Sequence, residues 1–387
     1  MNNSLSLYLH IPFCAVKCSY CAFNVYANAE RLIPAYLDAL CHEIEGVGQG
    51  AVKPLHTVYF GGGTPSLLTV AQVGRLMQAI RNAFTVSEPL EISFEVNPEV
   101  PGIDYFGGLQ ALGINRLSIG MQSAHASELK LFARQHTQAM TAQTVAQARA
   151  AAFENISLDL IYGVPNQTLP MWRESLQAAL ELQPEHLSLY SLQVEPETPF
   201  AKWVTKGKLP APDDDLAADM YEAADELLGS AGMVQYEIST WSKPGYECRH
   251  NLQYWTHGDY LGIGAGAHGF ADGVRYSVVR PLKTYLELAS GAINYPLTGS
   301  VAESEVISPT QAMDEVLITG LRLLQTGVSR SAFEARFGQT IEAVYGAQVL
   351  ENLEKQGLIR IEPDAIKLTS RARLIANRVL VNFMHDA

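Results

Sequence analysis

Cys14, Cys18 and Cys21 stand close together in the run Cys14-Ala-Val-Lys-Cys18-Ser-Tyr-Cys21. Three thiolates on one short loop can hold three irons of a cubane, and with no fourth cysteine nearby the remaining iron stays open for a ligand. Two other chemistries use similar residues. Zinc usually takes four protein ligands, and the nearest further candidate is His10. A Cys18–Cys21 dithiol could exchange disulfides, but that leaves Cys14 without a role. The spacing favours iron–sulfur over both. Cys41 and Cys248 stand apart, and five cysteines so placed make a poor disulfide framework. Cys41, between Leu40 and His42 on a helix, reads as a small buried hydrophobe.

A second candidate is the run Val58-Tyr-Phe-Gly61-Gly62-Gly63-Thr64-Pro65. Consecutive glycines let backbone approach a bound group, and N–H or C=O groups at a strand end can grip its polar atoms. Alone it is a weak signal; beside the cysteine cluster it gains weight.

The elements that must position these residues alternate strand and helix. Strand-like runs occupy Leu5–Ile11, Thr57–Phe60, Leu90–Val96, Arg116–Met121, Ile156–Tyr162 and His186–Val194, with amphipathic stretches at Ile33–Glu45, Ala71–Phe84, Met140–Phe153 and Met171–Leu182. That alternation predicts a parallel sheet with helices outside it. Within strands, Leu5, Leu7, Leu9 and Ile11 oppose Ser6, Tyr8 and His10, while Leu90, Ile92, Phe94 and Val96 oppose Glu91, Ser93, Glu95 and Asn97. Leu117, Ile119 and Met121 oppose Arg116, Ser118, Gly120 and Gln122, and Ile156, Leu158 and Leu160 oppose Ser157 and Asp159. A doubly covered parallel strand is apolar on both faces. One repeatedly polar face therefore predicts a curved sheet lining a wet or ligand-filled cavity, and the cysteine loop directly follows its first strand.

Further on, a helix is predicted over Asp213–Gly229 and a strand over Tyr236–Trp241. The segment 241–300 reads as a connector without simple periodicity. Residues 301–387 read as helices followed by a two-stranded hairpin, with helical stretches at Gln311–Gln325, Ser331–Phe337 and Ile341–Gln356. This gives a small winged-helix-like α+β domain without a basic recognition helix. The expected whole is α/β: an incomplete (β/α)6-type barrel over 1–240 and a C-terminal domain.

The net charge is −13, with 27 basic and 40 acidic residues, which excludes a phosphate backbone as the natural partner. No stretch approaches the roughly 20 apolar residues that span a bilayer. The first residues lack a basic segment followed by an apolar run, so no signal peptide is expected and the reading is cytoplasmic. Peripheral membrane contact stays open.

The Cys-x3-Cys-x2-Cys spacing, with Tyr20 before the third cysteine, resembles the radical S-adenosylmethionine (SAM) signature, and the glycine run resembles that family's SAM-binding turn. The resemblance implies a 4Fe–4S cluster on Cys14, Cys18 and Cys21 whose open iron chelates SAM. His10-Ile-Pro-Phe-Cys14, Gly61-Gly-Gly-Thr-Pro65, Glu95-Val-Asn-Pro98, Ile119-Gly-Met-Gln-Ser123 and Leu158-Asp-Leu-Ile-Tyr-Gly163 resemble the oxygen-independent coproporphyrinogen III dehydrogenase group through most of the chain. That resemblance implies that Tyr8 and Glu95 contact the cluster-bound SAM. It also implies that Gly63, Thr64, Gln122, Arg134 and Asp159 surround a second SAM.

Two departures separate the chain from those enzymes. They extend the cluster motif with a further cysteine where this chain has Phe23, and a longer segment precedes their cluster. Both departures, and the run His250-Asn-Leu-Gln-Tyr-Trp255, resemble the HemW-type heme chaperones. That implies heme binding and delivery to an apo-hemoprotein. Under it His250 is the candidate heme contact, with Cys248 as a rival thiolate and a core hydrogen-bonding role for His250 as the plain alternative. Radical enzymology, self-association and the recipient stay open.

Overall fold

The computed structural model describes residues 4–99 and 102–385. Strand β1 (Leu5–Ile11) forms where apolar and polar residues alternate. Its apolar set joins a core with Tyr36, Leu37, Leu40, Ile44 and Val47 of helix α1 (Ile33–Gly50). Burying such side chains stabilises by about 1.5–3 kcal/mol each.

The pattern repeats with β2 (Leu55–Gly62), β3 (Val86–Val96), β4 (Arg116–Gln122), β5 (Ile156–Tyr162) and β6 (His186–Ser191), each parallel to the strand before it. Between them lie α2 (Val70–Ala83), α3 (Ile103–Ala111), α4 (Ala126–Leu131), α5 (Gln138–Ala150) and α6 (Leu169–Glu181). Thr69, Thr137 and Thr168 cap α2, α5 and α6 through their hydroxyls, satisfying first-turn N–H groups. After α7 (Pro199–Thr205) and α8 (Asp214–Ser230), β7 (Val234–Glu237) and β8 (Thr240–Ser242) extend one edge of the sheet.

The segment after α9 (Arg249–Trp255) extends the other edge. Strand β9 (Tyr260–Ile263) lies parallel beside β1, and β10 (His268–Ala271), β11 (Val274–Val278) and β12 (Val301–Val306) follow antiparallel. The order is β12-β11-β10-β9-β1-β2-β3-β4-β5-β6-β8-β7, an unclosed sheet, as expected for an incomplete barrel.

Several boundaries differ from the sequence expectation: the Gln311–Gln325 helix ends at Gly320, and the Leu90–Val96 strand begins at Val86. The Tyr236–Trp241 run is a hairpin, because the chain reverses at Ile238-Ser239 and β8 pairs antiparallel to both β7 and β6. Strand β6, expected over His186–Val194, ends at Ser191, where the chain leaves the sheet. The stretch Ile341–Gln356 is two helices broken at Gly346, whose φ of 86° suits a residue without Cβ.

The C-terminal portion has a three-stranded sheet of Val328–Ser329, Ala365–Leu368 and Ile359–Ile361. Its core includes Leu317, Phe333, Ile341, Ile366 and Phe383. Glu315 ties it to the large sheet by accepting from Arg275 at 2.6 Å and pairing with His257 at 2.8 Å. Among the described residues no helix is long and apolar enough to cross a membrane.

Candidate functional site

The cysteine loop is held at the sheet's C-terminal edge by backbone bonds. Gly63 N–H donates to Ile11 O at 2.9 Å and Thr64 N–H to Phe13 O at 2.8 Å, locking the glycine turn under the loop. On the far side, Ser19 N–H donates to Phe132 O at 3.2 Å and Ser19 Oγ to Leu131 O at 2.7 Å. Cys14, Cys18, Tyr20 and Cys21 thus line one wall of a cavity of about 450 Å3. Tyr20 packs edge-on to Phe132, ring centres 5.0 Å apart.

Gly62, Gly63, Thr64, Glu95, Gln122, Arg134 and Asp159 line the same cavity. A Cβ on Gly63 would lie 2.6 Å from Phe13 O and 3.0 Å from Cys14 Sγ, so this position demands glycine for space. Glu95 accepts from Tyr59 OH at 3.1 Å and from Gly62 N–H at 3.0 Å. Burial and the nearby Asp159 carboxylate push its carboxyl up to about 7. Asp159 is likewise raised by burial and accepts from Ser118 Oγ at 2.9 Å. Arg134 donates to Gly120 O at 3.0 Å and to Asn97 Oδ1, with another guanidinium nitrogen 3.7 Å from Cys18 Sγ. Gln122 ends β4 with φ 62°, turning its side chain back over Gly120.

Tyr8 and Gly61 stand just behind this wall. The Tyr8 ring lies 6.1 Å from Tyr59, and its hydroxyl bonds His10 Nδ1 at 3.0 Å. A Cβ on Gly61 would meet Glu95 Oε1 at 3.0 Å.

His250 is not brought to the cavity wall. It is 1% exposed, with Nδ1 bonded to Thr57 Oγ1 at 2.8 Å and Nε2 to Tyr254 OH at 2.8 Å. Both ring nitrogens are engaged, so an axial bond to heme iron in this conformation would have to break one of them. Cys248 is fully buried and pushed up to about 12 by that burial. Cys41 is buried, as a small core residue should be.

Arg116, Tyr59 and Asn251 also line the cavity and were not singled out from the sequence. Arg116 is 1% exposed, and its Nε has no hydrogen-bond partner. Alternation alone puts Arg116 and Tyr59 on the inner face; nothing local marks them as more than lumen residues.

The thiols fit a cluster held by three cysteines. All three cysteines line one cavity, as the ligands of a single cubane must. His10, the fourth ligand a zinc site would need, bonds Tyr8 and Asn24 O instead. Burial raises the Cys14 thiol and pushes Cys21 up to about 11. Thr64 Oγ1 lies 3.5 Å from Cys14 Sγ and, with Arg134 at Cys18, supplies donors to two of the sulfurs.

The family model of the Radical SAM superfamily matches residues 8–179, and that of the HemN C-terminal domain matches 307–375. A Bacillus subtilis (strain 168) protein named heme chaperone HemW is 38% identical over 98% of this chain and 99% of its own length. The protein of that name in Escherichia coli (strain K12) is 36% identical over 99% and 98%. Among solved structures, coproporphyrinogen III oxidase (HemN) from Escherichia coli superposes with a TM-score of 0.85 at 25% identity, covering 99% of this chain and 90% of that one. With relatives so similar along nearly its whole length, the chain belongs to the HemW family within the radical SAM superfamily.

Proposed function

We propose that the protein binds heme and transfers it to apo-hemoproteins, while Cys14, Cys18 and Cys21 hold a 4Fe–4S cluster and the adjoining cavity holds SAM. The names of the full-length relatives support the heme reading. The observation that carries it against porphyrinogen decarboxylation is Phe23. It is 69% exposed at the cavity mouth, beside Val16 at 43%, where the dehydrogenase pattern has a cysteine. An exposed apolar rim suits a flat macrocycle and adds no thiol to the cluster motif.

A 4Fe–4S cluster held by the three cysteines would supply one-electron reduction of SAM when bound. The chain's own residues bind and orient. Glu95, held by Tyr59 and Gly62, offers a carboxylate to a ligand ammonium group, and the Gly62-Gly63 backbone allows close approach. Gln122, Arg134 and Asp159 offer a second polar set suited to another SAM, and Tyr20 closes the side of the loop. We assign the protein to the cytoplasm, with peripheral membrane contact and self-association as properties to measure during delivery.

The likeness to coproporphyrinogen III oxidase keeps one rival. Cluster-loaded protein given SAM, a reductant and coproporphyrinogen III without oxygen should yield no protoporphyrinogen while an authentic dehydrogenase does. Product above background would replace the chaperone reading with an enzyme.

A further inference from the structure

The His250-Asn-Leu-Gln-Tyr-Trp255 run forms α9, and this helix lies under the cavity. Its start is pinned by Glu91, whose carboxylate accepts from Arg249 N–H and His250 N–H at 3.0 Å each. Gln253 locks the other side by donating to Asp259 O at 2.8 Å. Thr57, the partner of His250 Nδ1, also bonds Ser6 Oγ at 2.6 Å, so the imidazole is cross-linked to the inner faces of β1 and β2.

The ring's upper face carries the consequence. It lies 5.0 Å from Tyr59 with the planes 34° apart, and 6.4 Å from Tyr8 at 37°. Tyr8 and Tyr59 themselves stack at 28°. Tyr59 is the residue that donates to Glu95. One residue along, Asn251 lines the cavity, and its amide has no side-chain hydrogen bond within the described residues.

We infer that α9 is the floor of the SAM pocket: His250 is a positioning residue that props Tyr59 against Glu95, and Asn251 offers its amide to the bound molecule. This rests on the SAM reading above and deepens it. Aromatic stacking contributes about 0.5–1.5 kcal/mol beyond area burial, enough to hold one phenol rotamer. Burial holds His250 well below its usual value, at about 3, so it serves as a neutral wedge across the physiological range.

The test uses full-length, cluster-reconstituted protein without oxygen. SAM and hemin affinities are titrated separately in wild type, His250→Gln, His250→Phe and Asn251→Ala. Glutamine keeps a hydrogen-bonding end but loses the ring; phenylalanine keeps the ring. His250→Gln should weaken SAM about tenfold, and His250→Phe should restore it to within about threefold despite a less stable fold. The pH midpoint of SAM binding should also rise in His250→Gln as Tyr59 loses its hold on Glu95. That carboxylate is also faced by Tyr8, Arg116, Asp159, Tyr190, Tyr254 and Cys14; of all these groups Tyr59 is the one that donates a hydrogen bond to it, and its loss raises the carboxyl. Asn251→Ala, which leaves the ring in place, should weaken SAM about threefold to tenfold. Hemin affinity should stay within about twofold in all three.

Equal SAM loss in the glutamine and phenylalanine variants would overturn the positioning role, as would unchanged SAM binding in His250→Gln and Asn251→Ala. Loss of hemin binding alone would do the same and return His250 to iron ligation. A cluster-loaded wild type that binds no SAM would overturn both this inference and the SAM reading it rests on.

Discussion

Tyr59 and Glu95, on adjacent parallel strands, meet at 3.1 Å, with the phenol donating to Oε1 while Gly62 N–H donates to Oε2 at 3.0 Å. Both carboxylate oxygens are therefore fixed before any ligand arrives, which is the preorganisation a binding site needs.

Removing the phenol hydroxyl tests how much that fixation contributes. A hydrogen bond to a charged group is worth about 1.5–3 kcal/mol, so Tyr59→Phe should weaken SAM by about tenfold or more. Isothermal titration of cluster-loaded protein measures it. Unchanged affinity would mean that Glu95 does not receive the ligand's ammonium group.

The same carboxyl sets a pH dependence. Its usual value of 4.5 is raised to about 7 in the folded chain. The folded state thus keeps a proton that the unfolded chain has lost, and the associated stability, full below 4.5, is lost as pH rises through about 7. Ionised Glu95 is the form that attracts a cation, so SAM affinity should rise from about pH 6 to about pH 8. Thermal shifts by SAM should grow over that range in wild type and flatten in Glu95→Gln. A wild-type affinity flat with pH would contradict the assignment.

Gly63 is the tightest point beneath the cysteine loop. A Cβ there would sit 2.6 Å from Phe13 O, 2.8 Å from Ile11 O and 3.0 Å from Cys14 Sγ. Two of those atoms are backbone and cannot step aside. Gly63→Ala should cut iron and sulfide content after reconstitution by more than half. Gly107→Ala in α3, where a Cβ meets nothing within 4 Å, should load fully and gain about 0.5–1 kcal/mol of stability. Full loading of Gly63→Ala would show that the loop relocates freely.

Cys18→Ser should abolish the cluster without unfolding the C-terminal domain. That domain's core of Leu317, Phe333, Ile341, Ile366 and Phe383 shares no residue with the cluster loop. Iron and sulfide assays with limited proteolysis, following the 307–385 region, would check both halves. Full iron retention would defeat the three-cysteine assignment.

The barrel strands were legible because their outer faces are apolar at period two, and the inner face of Tyr8, Glu95, Gln122 and Asp159 followed from that alternation. The spacing of Cys14, Cys18 and Cys21 marked them as candidate cluster ligands, and the three line one cavity together. Tyr59 and Arg116 were not legible, since alternation gives a residue's side of the sheet and says nothing about its partners across the lumen. Helix α9 was hidden because it is short and its motif mixes His, Asn and Gln among aromatics without a helical period. The resemblance of that run offered His250 either as a heme contact or as a core hydrogen-bonding residue, and its nitrogens bond Thr57 and Tyr254. The β7–β8 hairpin was missed because the residues at its reversal, Ile238-Ser239, include no glycine or proline to mark a turn.

Phe23, exposed on the cluster loop, contributes little to folding, and Phe23→Ser should change stability by less than about 0.5 kcal/mol. Its expected effect is on heme alone. Hemin affinity should fall about threefold to tenfold while SAM affinity and iron content stay level, because the loss is of apolar contact at the mouth. Absorbance titrations of both proteins would show it, and equal hemin affinity would move the heme site elsewhere.

Heme carriage by this chain is tested most directly by an anaerobic hemin titration of the full-length protein with its cluster intact. Saturable binding with a heme spectrum distinct from free hemin is expected, with loss of that spectrum when an apo-hemoprotein acceptor is added. A linear, unsaturated response indistinguishable from hemin in buffer would contradict it.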